Sequence, residues 1–125
     1  MDDMADCLVV DDSPTVRSIL CRILRQLGFE TREAADGASA LERCRERIPD
    51  VVLLDWNMPV MNGLECVRAL RALPSGDRPK VIFCTTMNEL ADIEQALEAG
   101  ADEYIMKPFD AELLRIKLEQ VGVAT

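Results

Sequence analysis

Cys7-Leu8-Val9-Val10-Asp11-Asp12-Ser13-Pro14 runs from four apolar residues into two carboxylates, then a serine and a proline. An apolar run this short, without alternation, predicts a strand buried on both faces. Ser13 suits a helix N-cap and Pro14 the first helical turn. Beyond them Val16, Ile19, Leu20, Ile23, Leu24 and Leu27 recur at the spacing of one helix face, and Gly28 follows as a stop signal. Strand, acidic turn and helix therefore make one unit.

The same unit recurs along the chain. Val51-Val52-Leu53-Leu54, Val81-Ile82-Phe83-Cys84 and the weaker Tyr104-Ile105-Met106 read as further strands. Glu30-Thr31-Arg32-Glu33-Ala34 is polar, which places it at a sheet edge where one side meets water. Helical stripes fall between them: Ala38, Leu41, Cys44 and Ile48; Leu64, Val67 and Leu70; Ile93, Ala96 and Leu97 before Gly100; and Leu114, Leu118 and Val121. Five strands alternating with five helices predict an α/β fold, a doubly wound parallel sheet with right-handed crossovers. The polar loop Pro74–Pro79 is too short to separate domains, so a single domain over residues 1–125, without an output domain, is expected.

Composition narrows the function. Of 125 residues, 49% are hydrophobic and 30% charged, the balance of a globule that needs no disulfide or structural metal. A net charge of −9 repels phosphate backbones and anionic lipids, which argues against nucleic-acid and membrane partners. The five cysteines form no C-x-x-C pair and there is no histidine, so they read as small buried hydrophobes of a reducing cytosol. The start, Met1-Asp2-Asp3-Met4-Ala5-Asp6, carries three acids and no base where a signal peptide is basic, and no apolar run approaches the roughly 20 residues of a membrane span. A cytoplasmic monomer is expected.

In open parallel sheets ligands bind beyond the carboxyl ends of the strands. Here the strands end in Asp11-Asp12, Asp55-Trp56-Asn57, Thr85-Thr86 and Lys107-Pro108. Three carboxylates at one sheet edge repel one another unless a cation neutralises them. Oxygen donors without His or Cys favour Mg²⁺ or Mn²⁺. A carboxylate beside such an ion, a hydroxyl and a lysine can accept a phosphoryl group. Asp55, held at the end of an apolar strand, is the best nucleophile; Asp11 and Asp12 are better placed for metal. Lys107 offers a point charge to a phosphoryl oxygen and Thr85 a hydrogen-bond donor. Taken singly, each acid is more often a solvated helix cap, Lys107 a surface lysine and Thr85 a strand-end turn residue; it is the combination that points to a site.

The sequence resembles the receiver domains of the two-component response-regulator family, most closely its stand-alone chemotaxis members. The motifs are Val9-Val10-Asp11-Asp12-Ser13, Asp55-Trp56-Asn57-Met58-Pro59 with Met61 and Gly63, Thr85, and Lys107-Pro108-Phe109. Asp55 and Thr85 stand 30 positions apart, Thr85 and Lys107 22, separations the family has. The resemblance implies the flavodoxin-like (βα)5 fold with strand order 2-1-3-4-5. It implies that Asp55 takes phosphate from a histidine kinase, and that Asp12, Asp55 and the Asn57 carbonyl contact Mg²⁺ while Asp11 acts through water. It further implies that Lys107 contacts the phosphoryl group, commonly with a cis peptide before the proline, and that Tyr104 is the aromatic residue that rotates inward behind Thr85. Output then passes through the fourth helix, fifth strand and fifth helix, with flagellar-motor control the first choice and a phosphorelay carrier or phosphate sink the alternatives.

The last helix carries a second apolar side, Leu113 and Ile116, which suits either a partner-binding face or a helix tucked into a groove that covers both sides. Two positions depart from the family pattern. Thr86 adds bulk beside the phosphoacceptor, and Met87 offers no polar group to orient a hydrolytic water. Other classes fare worse. An aspartate-nucleophile phosphohydrolase wants D-x-D after its first strand, and Asp55-Trp56-Asn57 is not that. A flavin module wants a Ser/Thr/Gly-rich loop where Asp11-Asp12 stands. The expectation is a switch and not an enzyme.

Overall fold

The computed structural model describes residues 4–56, 58, 61–86 and 90–123. Five strands and five helices alternate: β1 Asp6–Val10, α1 Pro14–Gln26, β2 Glu30–Ala34, α2 Gly37–Glu46, β3 Val51–Asp55, α3 Gly63–Arg71, β4 Lys80–Thr85, α4 Leu90–Ala99, β5 Glu103–Met106 and α5 Ala111–Gln120. The strands form one parallel sheet in the order β2-β1-β3-β4-β5. The polar β2 is an edge strand, as its composition requires.

Side chains alternate across a strand, so each apolar run supplies both faces of the sheet. Leu8, Val10, Val52, Leu54, Val81 and Phe83 pack on α2, α3 and α4, through Leu41, Val67, Leu70 and Ala96. Cys7, Val9, Val51, Leu53, Ile82 and Cys84 pack on α1 and α5, through Leu20, Leu24, Leu114 and Leu118. The split of helices between the faces follows from the strand order and right-handed crossovers: the connection from β1 to β2 runs against the direction of the next three. All five cysteines are buried and free, as their reading as small hydrophobes requires.

Local signals set the helix ends. Ser13 accepts from the Val16 N–H at 3.2 Å, Pro14 occupies the first turn of α1, and Gly28 has φ +97° after the last turn. Asp36, Asn62 and Asp110 cap α2, α3 and α5 in the same way, and Asn62 with Glu65 forms a reciprocal capping box. The helix stripes differ in detail from the sequence reading. Ile19 is 51% exposed, whereas Cys21 is buried; Ala38 is exposed, whereas Ala40 is buried. Both helices present small residues to the sheet, which lets the backbones approach closely. Ile48 lies beyond α2, because Pro49 forbids helix at that point.

Candidate functional site

Register brings the chemistry together. Val10 pairs with Leu54, Asp55 with Cys84, and Thr85 with Met106, so the carboxyl ends of β1, β3, β4 and β5 finish at one edge. Asp11 follows β1, Asp55 ends β3, Thr85 ends β4 and Lys107 follows β5.

Asp11 is buried and held at several of its polar atoms. Its N–H donates to the Ala34 carbonyl at 3.1 Å, its Oδ1 accepts from the Ser13 N–H at 2.9 Å, and its carbonyl accepts from Arg17 Nη1 at 2.7 Å. Asp12 is exposed beside it. Asp55 is buried, 7% exposed. Carboxylate oxygens of Asp11, Asp12 and Asp55 all lie within 4.8 Å of one another. This oxygen-only cluster of one exposed and two buried acids suits a hard divalent cation that keeps some of its waters. Asn57, the fourth expected ligand, and Met87 lie outside the described residues.

Lys107 supplies the opposing charge. Its Nζ stands 3.1 Å from Asp55 Oδ1 and 3.7 Å from Asp11 Oδ2, while its N–H donates to the Thr85 carbonyl at 2.8 Å. Burial works against the ammonium's charge. The hydrogen bond to Asp55, with the charges of Asp55 and Asp11, outweighs it and holds Lys107 above the ordinary lysine value. The Lys107–Pro108 peptide is cis, as the resemblance implies. Cys84, facing the other side of β4, is no competing nucleophile: burial pushes its thiol up to about 12, and the nearby Lys107 offsets only part of that.

Tight packing supports the floor of the site. A Cβ on Gly63 would lie 2.5 Å from Phe83 Cε1 and 3.0 Å from the Asp55 carbonyl, so only glycine lets α3 start this close to the end of β3. Trp56 follows Asp55, its ring tilted against Phe83 with centroids 4.9 Å apart. Thr85 is buried and Tyr104 half-buried, and both line one narrow cleft with Trp56, Asp92, Ile93 and Ala96. The Lys117 ammonium sits 4.9 Å from the Tyr104 ring centroid and 3.5 Å from Glu103 Oε1. Thr86 is exposed.

The structure brings Asp11, Asp12, Asp55, Thr85 and Lys107 to one edge, and Tyr104 to a cleft shared with Thr85. Arg17 was not singled out from the sequence. The available signal was a cation early in a helix, where the macrodipole disfavours it, with no acidic residue in the first turn.

Comparison with known proteins agrees. The pattern of the "Response regulator receiver domain" family matches residues 7–119. The chain is 45% identical over 102 residues to the DNA-binding response regulator MtrA of Mycolicibacterium smegmatis, covering 82% of this chain and 43% of that protein. It thus spans less than half of MtrA's length. With the chemotaxis protein CheY of Pseudomonas aeruginosa it shares 39% identity over 115 residues, 91% of this chain and 93% of that one. Among solved structures, the Vibrio cholerae chemotaxis protein CheY4 superposes with a TM-score of 0.91 at 34% identity, covering 95% of this chain and 99% of the other.

Proposed function

The chain belongs to the response regulator receiver domain family, and from that premise we propose that it is a phosphorylation switch whose phosphoacceptor is Asp55. The supporting observation is the Asp55 carboxylate at the end of β3, with Lys107 Nζ at 3.1 Å and two further carboxylates beside it. An Asp55 oxygen attacks the phosphorus of a phosphohistidine on a histidine kinase. The new O–P bond forms as the P–N bond breaks, and the imidazole leaves with the electron pair. Asp12 and Asp55, with Asp11 behind, would hold a divalent ion, Mg²⁺ in this reading, which would neutralise charge on the phosphoryl oxygens. Lys107 shifts from its carboxylate partners to a phosphoryl oxygen, and the Thr85 hydroxyl donates to another. Thr86 crowds the entrance and slows transfer from small donors.

Movement of Thr85 alters the cleft it shares with Tyr104, and the aromatic ring follows. The readout is a population shift of the surface formed by α4, β5 and α5. On that surface Leu97 of α4 and Leu113 and Ile116 of α5 are exposed apolar residues, and the Lys117 ammonium stands over the Tyr104 ring. We take the partner to be a flagellar motor-switch protein in the cytoplasm, a reading supported by the chemotaxis relatives. Among the described residues no helix is long and apolar enough to cross a membrane. The likeness to MtrA favours a second reading, in which the same surface regulates a DNA-binding module.

The test is transfer of labelled phosphate from a phosphorylated histidine-kinase domain, with Mg²⁺ or with EDTA, followed by titration against a motor-switch peptide. Mg²⁺-dependent transfer that tightens peptide binding is expected. Transfer without any change in peptide affinity would favour a relay carrier, a phosphate sink or the second reading over motor control; no transfer would contradict the switch itself.

A further inference from the structure

Arg17 occupies the start of α1, where a cation faces the positive end of the helix, and the first turn contains no acid to compensate it. Helix stability does not explain an arginine there. Its contacts do. Nη1 donates to the Asp11 carbonyl at 2.7 Å, and Nε pairs with Glu33 Oε1 on edge strand β2 at 3.0 Å. The Arg17 side chain is only 17% exposed, while Glu33 is 43% exposed. The guanidinium is therefore a planar brace from the sheet edge, through the helix, to one peptide group.

That peptide joins Asp11 to Asp12. Its carbonyl oxygen is tied by Arg17, and the preceding N–H of Asp11 by the Ala34 carbonyl at 3.1 Å. The orientation of this peptide plane sets where the backbone of Asp12 stands, and so where its exposed carboxylate can meet Asp55. Glu33 fixes the plane of the guanidinium and balances its charge.

We infer that Arg17, held by Glu33, is a positioning residue for divalent-ion binding, acting through the Asp11–Asp12 peptide without touching the ion. The inference rests on the proposed metal-dependent switch. Groups one shell out from metal ligands typically change affinity by about 10- to 100-fold when removed. Charge alone argues in the opposite direction, because losing a cation beside three carboxylates should tighten binding of Mg²⁺.

The experiment titrates Mg²⁺ into the full chain and follows the fluorescence of Trp56, the single tryptophan, which adjoins Asp55. Wild type, Arg17→Met and Arg17→Lys are compared, with a thermal melt of each in EDTA to establish folding. Arg17→Met should weaken Mg²⁺ binding by about 10-fold despite the removed positive charge, and Arg17→Lys, a compact point charge without the planar fork, by less. If Arg17→Met does not fold, Arg17→Lys decides, since it keeps the charge and any loss of affinity must come from geometry. Folded variants that bind Mg²⁺ as tightly as wild type, or more tightly, would overturn the inference and leave the switch intact. A wild type that shows no Mg²⁺ binding would overturn the metal-dependent reading and this inference with it.

Discussion

Replacing Asp12 by asparagine keeps the side-chain volume and removes one charge from the acidic cluster. Its carboxylate lies within 4.8 Å of oxygens on Asp11 and Asp55. Asp12 is exposed, so water-like screening applies, and each repulsion at that distance is about 0.9 kcal/mol. Lys107, which contacts Asp55 and Asp11, returns part of this by attraction. Asp12→Asn should therefore stabilise the metal-free protein by about 1 kcal/mol, a rise of about 3–5 °C in melting midpoint for a chain this long. Saturating Mg²⁺ reverses the order. At an ion concentration about 100 times its Kd, wild type gains about 2.7 kcal/mol, while the variant, having lost a ligand, gains far less. Paired thermal melts in EDTA and in Mg²⁺ measure all four values. An Asp12→Asn protein that melts below wild type in EDTA would mean that Asp12 does not repel its neighbours, and one that gains as much from Mg²⁺ that Asp12 does not bind the ion.

Other perturbations probe the neighbouring groups. Lys107 titrates above its ordinary value in the folded protein, so its pairing stabilises the fold fully below the unfolded lysine value and is lost as pH rises through the folded one. The stability gap between wild type and Lys107→Met, from urea unfolding, should thus stay level through neutral pH and shrink only in strong alkali; a gap that widens there would contradict the pairing. Burial holds the Cys66 and Cys84 thiols near 12, and all five cysteines are buried, so a thiol reagent at neutral pH should label none until denaturant exposes all five. Arg71 donates to the carbonyls of Gly76, Pro79 and Gly100 and pairs with Asp102, joining the end of α3 to the segments before β4 and β5. Arg71→Met should cost about 3 kcal/mol in urea unfolding, and a loss under about 1 kcal/mol would mean that water replaces those bonds readily.

Much of the fold was legible because its signals are local. Buried parallel strands need unbroken apolar runs, and the edge strand β2 announced itself by Glu30, Arg32 and Glu33. Ser13, Pro14 and Gly28 marked the ends of α1 by capping chemistry alone. The site was legible because a parallel sheet collects strand ends at one edge, so residues distant in sequence needed only the right position after each strand. What stayed hidden depends on three dimensions. Periodicity could not reveal that Ile19 faces out while Cys21 and Ala40 pack inward, since small residues carry a weak hydrophobic signal. The position of Arg17 early in α1 was a visible oddity, but which carbonyls Arg17 and Arg71 bind leaves no sequence trace, because every residue has one. Strand order came from family resemblance, as no apolar run states its neighbour.

Intact mass after incubation with acetyl phosphate, with Mg²⁺ or EDTA, for wild type and Asp55→Asn, shows whether Asp55 accepts phosphate in a metal-dependent way. Wild type should gain one phosphoryl group, a gain that requires Mg²⁺ and is absent in Asp55→Asn. A gain of the same size in Asp55→Asn would place the acceptor elsewhere, and a gain undiminished by EDTA would remove the divalent ion from the reaction.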